Sequence, residues 1–181
     1  IAESRIGLRL IEISTHHLIK QREAEIMKID KKIELENSKT EYKILRPALL
    51  IPALRILTEN KDHDYPQEIF EVGKTFASDT EDKTETGILE KDHLIIARSP
   101  GDFTKMKQIL DYLNKTLKIN LEIERSQHQN CIEGRTADIC LNSKKIGYFG
   151  EIHPETLRDW TIKMPVAVLE ISLEEIFNII S

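Results

Sequence analysis

The chain has 181 residues, 40% of them hydrophobic and 31% charged, with a formal net charge of −5 at pH 7. That length suffices for one domain with its own core, and the composition is too apolar for intrinsic disorder. The negative balance argues against generic nucleic-acid binding through a basic surface, leaving room only for a local patch, and no apolar run reaches the roughly 20 residues of a membrane helix.

The first residue is Ile rather than Met, so a piece of a longer chain is expected. The start lacks the basic stretch and apolar core of a secretory leader. Cys131 and Cys140 are too few for a disulfide framework and have no His or Cys neighbours at zinc spacing. They read as reduced, partly buried thiols, and the protein as cytoplasmic.

In chain order, Ile6, Leu8 and Leu10 alternate with Gly7 and Arg9, which predicts a strand over Ile6–Ile13. Ser14 is expected to cap a polar helix reaching about Glu25. A second strand is expected over Ile29–Glu36, then a turn over Asn37–Tyr42. Residues Ile44–Asn60 carry apolar side chains at helical spacing. Pro47 suits a first turn, and Pro52 predicts a kink or a break between two short helices. "EIFEVGKTF" ends a charged loop and reads as a buried strand over Ile69–Phe76, followed by a hydrophilic hairpin loop over Ser78–Thr86.

Leu94–Ala97 continues as a strand buried on both faces. Phe103, Met106, Leu110, Leu113 and Leu117 recur at steps of three and four, a helix with Asp102 as its N-cap. Short strands follow at Leu121–Ser126, Thr136–Leu141 and Lys145–Ile152, the last two joined by a turn at Asn142–Lys144. Pro154 opens a short helix ending near Trp160, Pro165–Ile171 is a buried strand, and Ser172 with Glu175 forms a capping box for a final helix to Ile180. Strand pairs without regular βαβ alternation predict an α+β fold, a mainly antiparallel sheet flanked by helices, over 1–181 as a single domain.

Chemistry-bearing clusters are sparse. His16 and His17 are adjacent on the chain and point about 100° apart if helical, so they do not converge on one metal. Asp62, His63 and Asp64 lie in a charged loop without a third ligand nearby, and Glu81–Glu85 reads as an exposed hairpin tip. No glycine-rich phosphate loop and no nucleophile elbow is present. The residues alone therefore point to no catalytic, cofactor-binding or metal-binding set.

Three segments together resemble one family. "LRPALLIPALRILTENKDHDYPQEIFEVGKTF" (Leu45–Phe76), "EGRTADICLNSKKIGYFGEIHPETL" (Glu133–Leu157) and "MPVAVLEISLEEIF" (Met164–Phe177) are similar, in the right order, to blocks of the phenylalanyl-tRNA synthetase β-subunit family. The resemblance covers nearly the whole chain and implies a class II aminoacyl-tRNA synthetase-like fold, the catalytic-like domain of an archaeal or eukaryotic-type β chain. In catalytic class II enzymes the strand matching Ile69–Phe76 ends in an arginine that grips the ATP α-phosphate, with an acid two places on. Charge builds on the transferring phosphate, and a fixed guanidinium fork stabilises it. Here Ala77 stands at the arginine's place and Asp79 at the acid's. The matching third motif lacks glycine and places Glu174 and Glu175 where another phosphate-binding arginine is expected, so carboxylates would repel a triphosphate.

What the resemblance implies is a pseudo-catalytic domain with no cofactor of its own. It would pack against the catalytic α subunit, which uses ATP and Mg²⁺, and meet tRNA(Phe) only through the whole enzyme. The isolated piece would expose a former interface and self-associate. Arg46, Gly73, Arg135, Gly150 and Pro154 are expected to serve structure: Arg46 by anchoring a helix start, the glycines by close strand packing, Pro154 by setting the short helix, and Arg135 by an ion pair or as an exposed cation. Arg55 is expected to face solvent. A freestanding, degenerate synthetase-like regulatory protein and an unrelated enzyme with a site assembled across loops are the alternative readings.

Overall fold

A computed structural model describes residues 10–79 and 84–180, excepting the side chains of residues 175, 179 and 180. The described elements, in chain order, are β1 (Ile11–Glu12), β2 (Leu18–Lys20), α1 (Gln21–Ile26), β3 (Tyr42–Leu45), α2 (Leu50–Glu59), β4 (Gln67–Ser78) and β5 (Ile88–Ser99). They continue with α3 (Phe103–Leu117), β6 (Glu122–Arg125), β7 (Cys131–Leu141), β8 (Lys144–Ile152), α4 (Pro154–Asp159), β9 (Ala167–Ser172) and α5 (Leu173–Ile180). Seven strands form one sheet in the order β1-β4-β5-β9-β8-β7-β6, while β2 and β3 pair separately. Every neighbouring pair in the large sheet is antiparallel except β1 with β4. The fold is thus α+β with a mainly antiparallel sheet.

The registers sort the side chains onto two faces. Glu71, Ile95, Glu170, Tyr148 and Asp138 are successive cross-strand partners from β4 to β7, so they form one row on one face. That face is covered by α1, α2 and the β2–β3 ribbon through Ile19, Ala24, Ile44, Leu49, Leu54 and Leu57. The opposite face carries Phe70, Leu94, Ile96, Leu169, Ile171 and Phe149. It packs against Met106, Ile109, Leu110 and Leu113 of α3 and Leu173 and Ile176 of α5. The period-four stripe of α3 thus has a single destination. Asp102 caps that helix, its Oδ1 accepting from Lys105 N at 2.8 Å, and Lys118 ends it in a left-handed conformation.

Several expectations are corrected. Of the strand expected over Ile6–Ile13, Ile11–Glu12 is strand and Leu10 and Ile13 are not, while residues 6–9 lie outside the described residues. The helix expected from Ser14 starts at Gln21 and is six residues long, with the Glu23 carboxylate accepting from Lys20 N at 2.8 Å. Thr15 is drawn instead to Glu71, and His17 O accepts from Arg46 N, so this stretch is held extended by long-range bonds. Ile29–Glu36 forms one isolated bridge, Glu34 to Ile44, rather than a strand. Ile44 and Leu45 belong to β3, and Pro52 is the third residue of α2. Its missing N–H therefore falls in the first turn, where no intrahelical partner exists, and the expected kink has no cause. The Ser172 hydroxyl is buried without a hydrogen-bond partner and caps nothing; Glu175's side chain lies outside the described residues.

Candidate functional site

The face covered by α1 and α2 is the one on which polar chemistry is buried. Arg46 follows β3 and is only 1% exposed. Its Nη1 donates to Glu71 Oε1 at 2.8 Å and to Thr15 Oγ1 at 2.6 Å, while Nε donates to Lys74 O at 2.8 Å. Thr15 in turn donates from Oγ1 to Glu71 Oε2 at 2.6 Å and from N to Oε1 at 3.2 Å. The guanidinium lies over Gly73, where a Cβ would overlap Nη2. Glycine at that position is what admits a buried arginine against the sheet.

Two strands along the same row, Glu170 sits on β9, 3% exposed. Its Oε1 accepts from Leu49 N at 2.9 Å and stands 3.1 Å from His93 Nδ1, and its Oε2 accepts from Leu50 N at 3.1 Å. A carboxylate thus satisfies the first free N–H groups of α2 and complements the positive end of its dipole. Beside it opens a cavity of about 480 Å³ lined by residues leading into α2, by Tyr148 and Glu170 of the sheet, and by the loop 127–130. His128 stacks on Tyr148 with centroids 3.9 Å apart and planes 11° from parallel. Burial pushes the His128 pKa down, so its ring is neutral at pH 7, and burial followed by the Glu170 charge pushes the Tyr148 phenol well up. Cys131 is buried next to this loop, and burial pushes its thiol up to about 12, leaving it unreactive near neutral pH.

The residues singled out in the sequence scatter over this frame. Ala77 ends β4 on the same face as Glu71, exposed, opposite Leu89. Asp79 shapes the hairpin, accepting from Thr84 N at 2.6 Å and Thr84 Oγ1 at 3.0 Å. Glu174 is in the first turn of α5, on the opposite side of the sheet, and the Glu175 side chain lies outside the described residues. Gly150 faces Thr136 across the β7–β8 pair, where a Cβ would stand 2.8 Å from Arg135 O. Arg135, with its side chain 61% exposed, reaches Glu151 Oε2 at 2.7 Å. Pro154 is the first residue of α4, capped by His153 Nδ1 accepting from Glu155 N at 3.2 Å. Arg55 departs from the expected solvent-facing position: it is buried, with Nε 2.6 Å from Glu23 Oε1 and its guanidinium 4.9 Å from the Tyr42 ring centre.

Sequence reading missed both buried acids. The signal was present: Glu71 sits between Phe70 and Val72, and Glu170 between Leu169 and Ile171, each inside a locally apolar run of its strand. A lone acid in a buried strand must have a partner. His16, His17 and Asp62–Asp64 are exposed, and among the described residues no group of three or more His, Cys, Asp or Glu side chains could hold a metal ion. No helix among the described residues is long and apolar enough to cross a membrane.

Comparison with known proteins gives concordant results. The fold is similar to that of pyrrolysyl-tRNA synthetase from Desulfitobacterium hafniense, with a TM-score of 0.76 at 17% identity over 98% of this chain and 66% of that one. The chain is 35% identical to the phenylalanine–tRNA ligase beta subunit of Pyrococcus abyssi, over 98% of this chain and 33% of that protein. It is 33% identical to the beta subunit of Methanocaldococcus jannaschii over 77% of this chain and 26% of that protein. The chain therefore spans about a third or less of the length of these curated relatives. A family model described as the phenylalanyl tRNA synthetase beta chain CLM domain matches residues 1–173. With that match over most of its length and a class II synthetase-like sheet beneath it, the chain belongs to the phenylalanyl-tRNA synthetase beta chain CLM domain family.

Proposed function

We propose that this chain is a non-catalytic, synthetase-like domain of a phenylalanine–tRNA ligase beta subunit, and that it packs against and supports a catalytic alpha subunit in the charging of tRNA(Phe). The observation that carries the reading is Ala77 at the end of β4. Phosphoryl chemistry there needs a fixed cation, and alanine supplies neither charge nor donors. The buried arginine of this face, Arg46, is no substitute, because it is 1% exposed and its Nε and Nη1 are engaged by Lys74 O, Thr15 and Glu71.

On this reading the domain takes no cofactor; ATP and Mg²⁺ are used by the alpha chain, in the cytoplasm, and tRNA is met by the assembled enzyme. Val72 and Phe177, 38% and 50% exposed, leave apolar surface on the α5 side of the sheet, in keeping with a docking role. Three measurements test it. Calorimetry with ATP–Mg²⁺ at millimolar levels is expected to give no saturable heat, and co-expression with the matching alpha chain is expected to give a complex that co-elutes on gel filtration. Phenylalanine-dependent pyrophosphate exchange by this chain alone would overturn the non-catalytic reading, and failure of the full beta chain to associate with alpha would remove the supporting role.

A further inference from the structure

We propose that the cavity beside Glu170 is a binding site for a small organic cation, an amine carrying a flat or apolar body. Its volume of about 480 Å³ lies within the range of small-molecule pockets. Two polar side chains line it with more than nine-tenths of their surface buried, Asn130 at 7% exposure and Tyr148 at 9%. Neither the Asn130 carboxamide nor the Tyr148 phenol bonds to another described residue, and neither is among the polar atoms sealed from solvent without a partner. Their polar atoms therefore open to the cavity, where each offers an occupant a donor and an acceptor.

Charge selects the class of that occupant. Among the described residues no lysine or arginine lines the cavity, Glu170 is the one carboxylate that does, and His93 lies beside it with Nδ1 3.1 Å from Oε1. An anion would meet that carboxylate with no lysine or arginine to offset it, whereas an ammonium is attracted to it. Glu170 Oε2 accepts from Leu50 N alone, which leaves one of its lone pairs for a second donor. The parallel stack of His128 on Tyr148 offers π surface for an aromatic body or for the cation itself, and Met27 and Pro47 add an apolar wall. The inference does not rest on the scaffold reading: it concerns a site away from Ala77 and holds whether or not the chain binds ATP.

The test is a calorimetric titration of the full chain with benzylamine, benzyl alcohol and benzoate, three ligands of similar shape that carry positive, zero and negative charge. Benzylamine is expected to bind saturably with Kd on the order of millimolar. Benzyl alcohol is expected to bind at least about tenfold more weakly, as the loss of one charged hydrogen bond implies, and benzoate not at all. Tyr148→Phe, which keeps the ring and its stack, and Asn130→Ala are each expected to weaken benzylamine about fivefold, the scale of one hydrogen bond. Equal affinity for the amine and the alcohol, preference for benzoate, or no saturable benzylamine binding at concentrations on the order of 10 mM overturns the proposal. Should either variant fail to fold, the three-ligand comparison on the unaltered chain still decides it.

Discussion

The two faces of the sheet solve the same burial problem by different physics. Under α3 and α5 the contact is between aliphatic and aromatic side chains, with Phe103 stacked on Phe149 at 4.7 Å. Under α1 and α2 the core is interrupted by ionic pairs, Arg46–Glu71 and Arg55–Glu23, and by Glu170 at a helix start. The first face is held by non-directional attraction, which asks for volume more than for particular partners. The second is held by groups that are harmless only while every partner is present, because an unpaired buried charge costs more than a pair contributes. The difference places the partner-dependent contacts on the face covered by α1 and α2.

That contrast is open to test, beginning with the largest effect. Glu71→Ala leaves the Arg46 guanidinium buried without its carboxylate and is expected to lower stability by about 3 to 5 kcal/mol in denaturant unfolding. Replacing both partners, Arg46→Met with Glu71→Leu, is expected to recover most of that loss, since an apolar pair leaves no charge stranded. If the double variant is as unstable as the single one, the pair itself stabilises the fold and the contrast weakens.

On the apolar face, Leu110→Ala is expected to cost about 3 kcal/mol through lost burial and the cavity left behind, and Leu110→Met less than about 1.5 kcal/mol. A Met substitution as damaging as Ala would show that this face, too, requires one shape.

The smallest effect is a pH dependence. Burial holds the folded-state pKa of His128 below its ordinary 6.5, against the opposing charge of Glu170 and with Lys145 and Asp138 also acting on it. The unfolded chain then binds more protons than the folded one, so the contribution is full above pH 6.5 and is lost as pH falls from there through the folded value. Urea midpoints are expected to fall between pH 7.5 and pH 5.5, and His128→Phe, which keeps a flat ring against Tyr148, to flatten that slope. An unchanged slope would assign the pH dependence to other groups.

Periodicity and punctuation in the sequence were sufficient for much of the fold. The stripe of α3, its Asp102 cap, the turn expected at Asn142–Lys144 and the buried strand expected over Pro165–Ile171 all depend on local pattern; the first two are present, the turn closes before β8 begins at Lys144, and the strand runs over Ala167–Ser172. Thr15 to Glu36 was misread because its conformation is fixed from a distance: Thr15 by Glu71, His17 by Arg46, and Ile33 and Leu35 by β3. Long-range hydrogen bonds outweigh propensities of a few tenths of a kcal/mol per residue.

What the sequence by itself determined is the run of elements from β4 to α5, the alternation that makes a mainly antiparallel sheet, and the absence of an arginine at position 77, since these are properties of spacing and residue type. What only the tertiary structure decided is which polar groups meet: that Arg46 closes on Glu71 over Gly73, that Glu170 reaches the start of a helix more than a hundred residues earlier, and that Asn130 and Tyr148 converge on one cavity. Charges and hydrogen bonds act through distance in space, and the order of residues along a chain does not record that distance until strands and helices have packed.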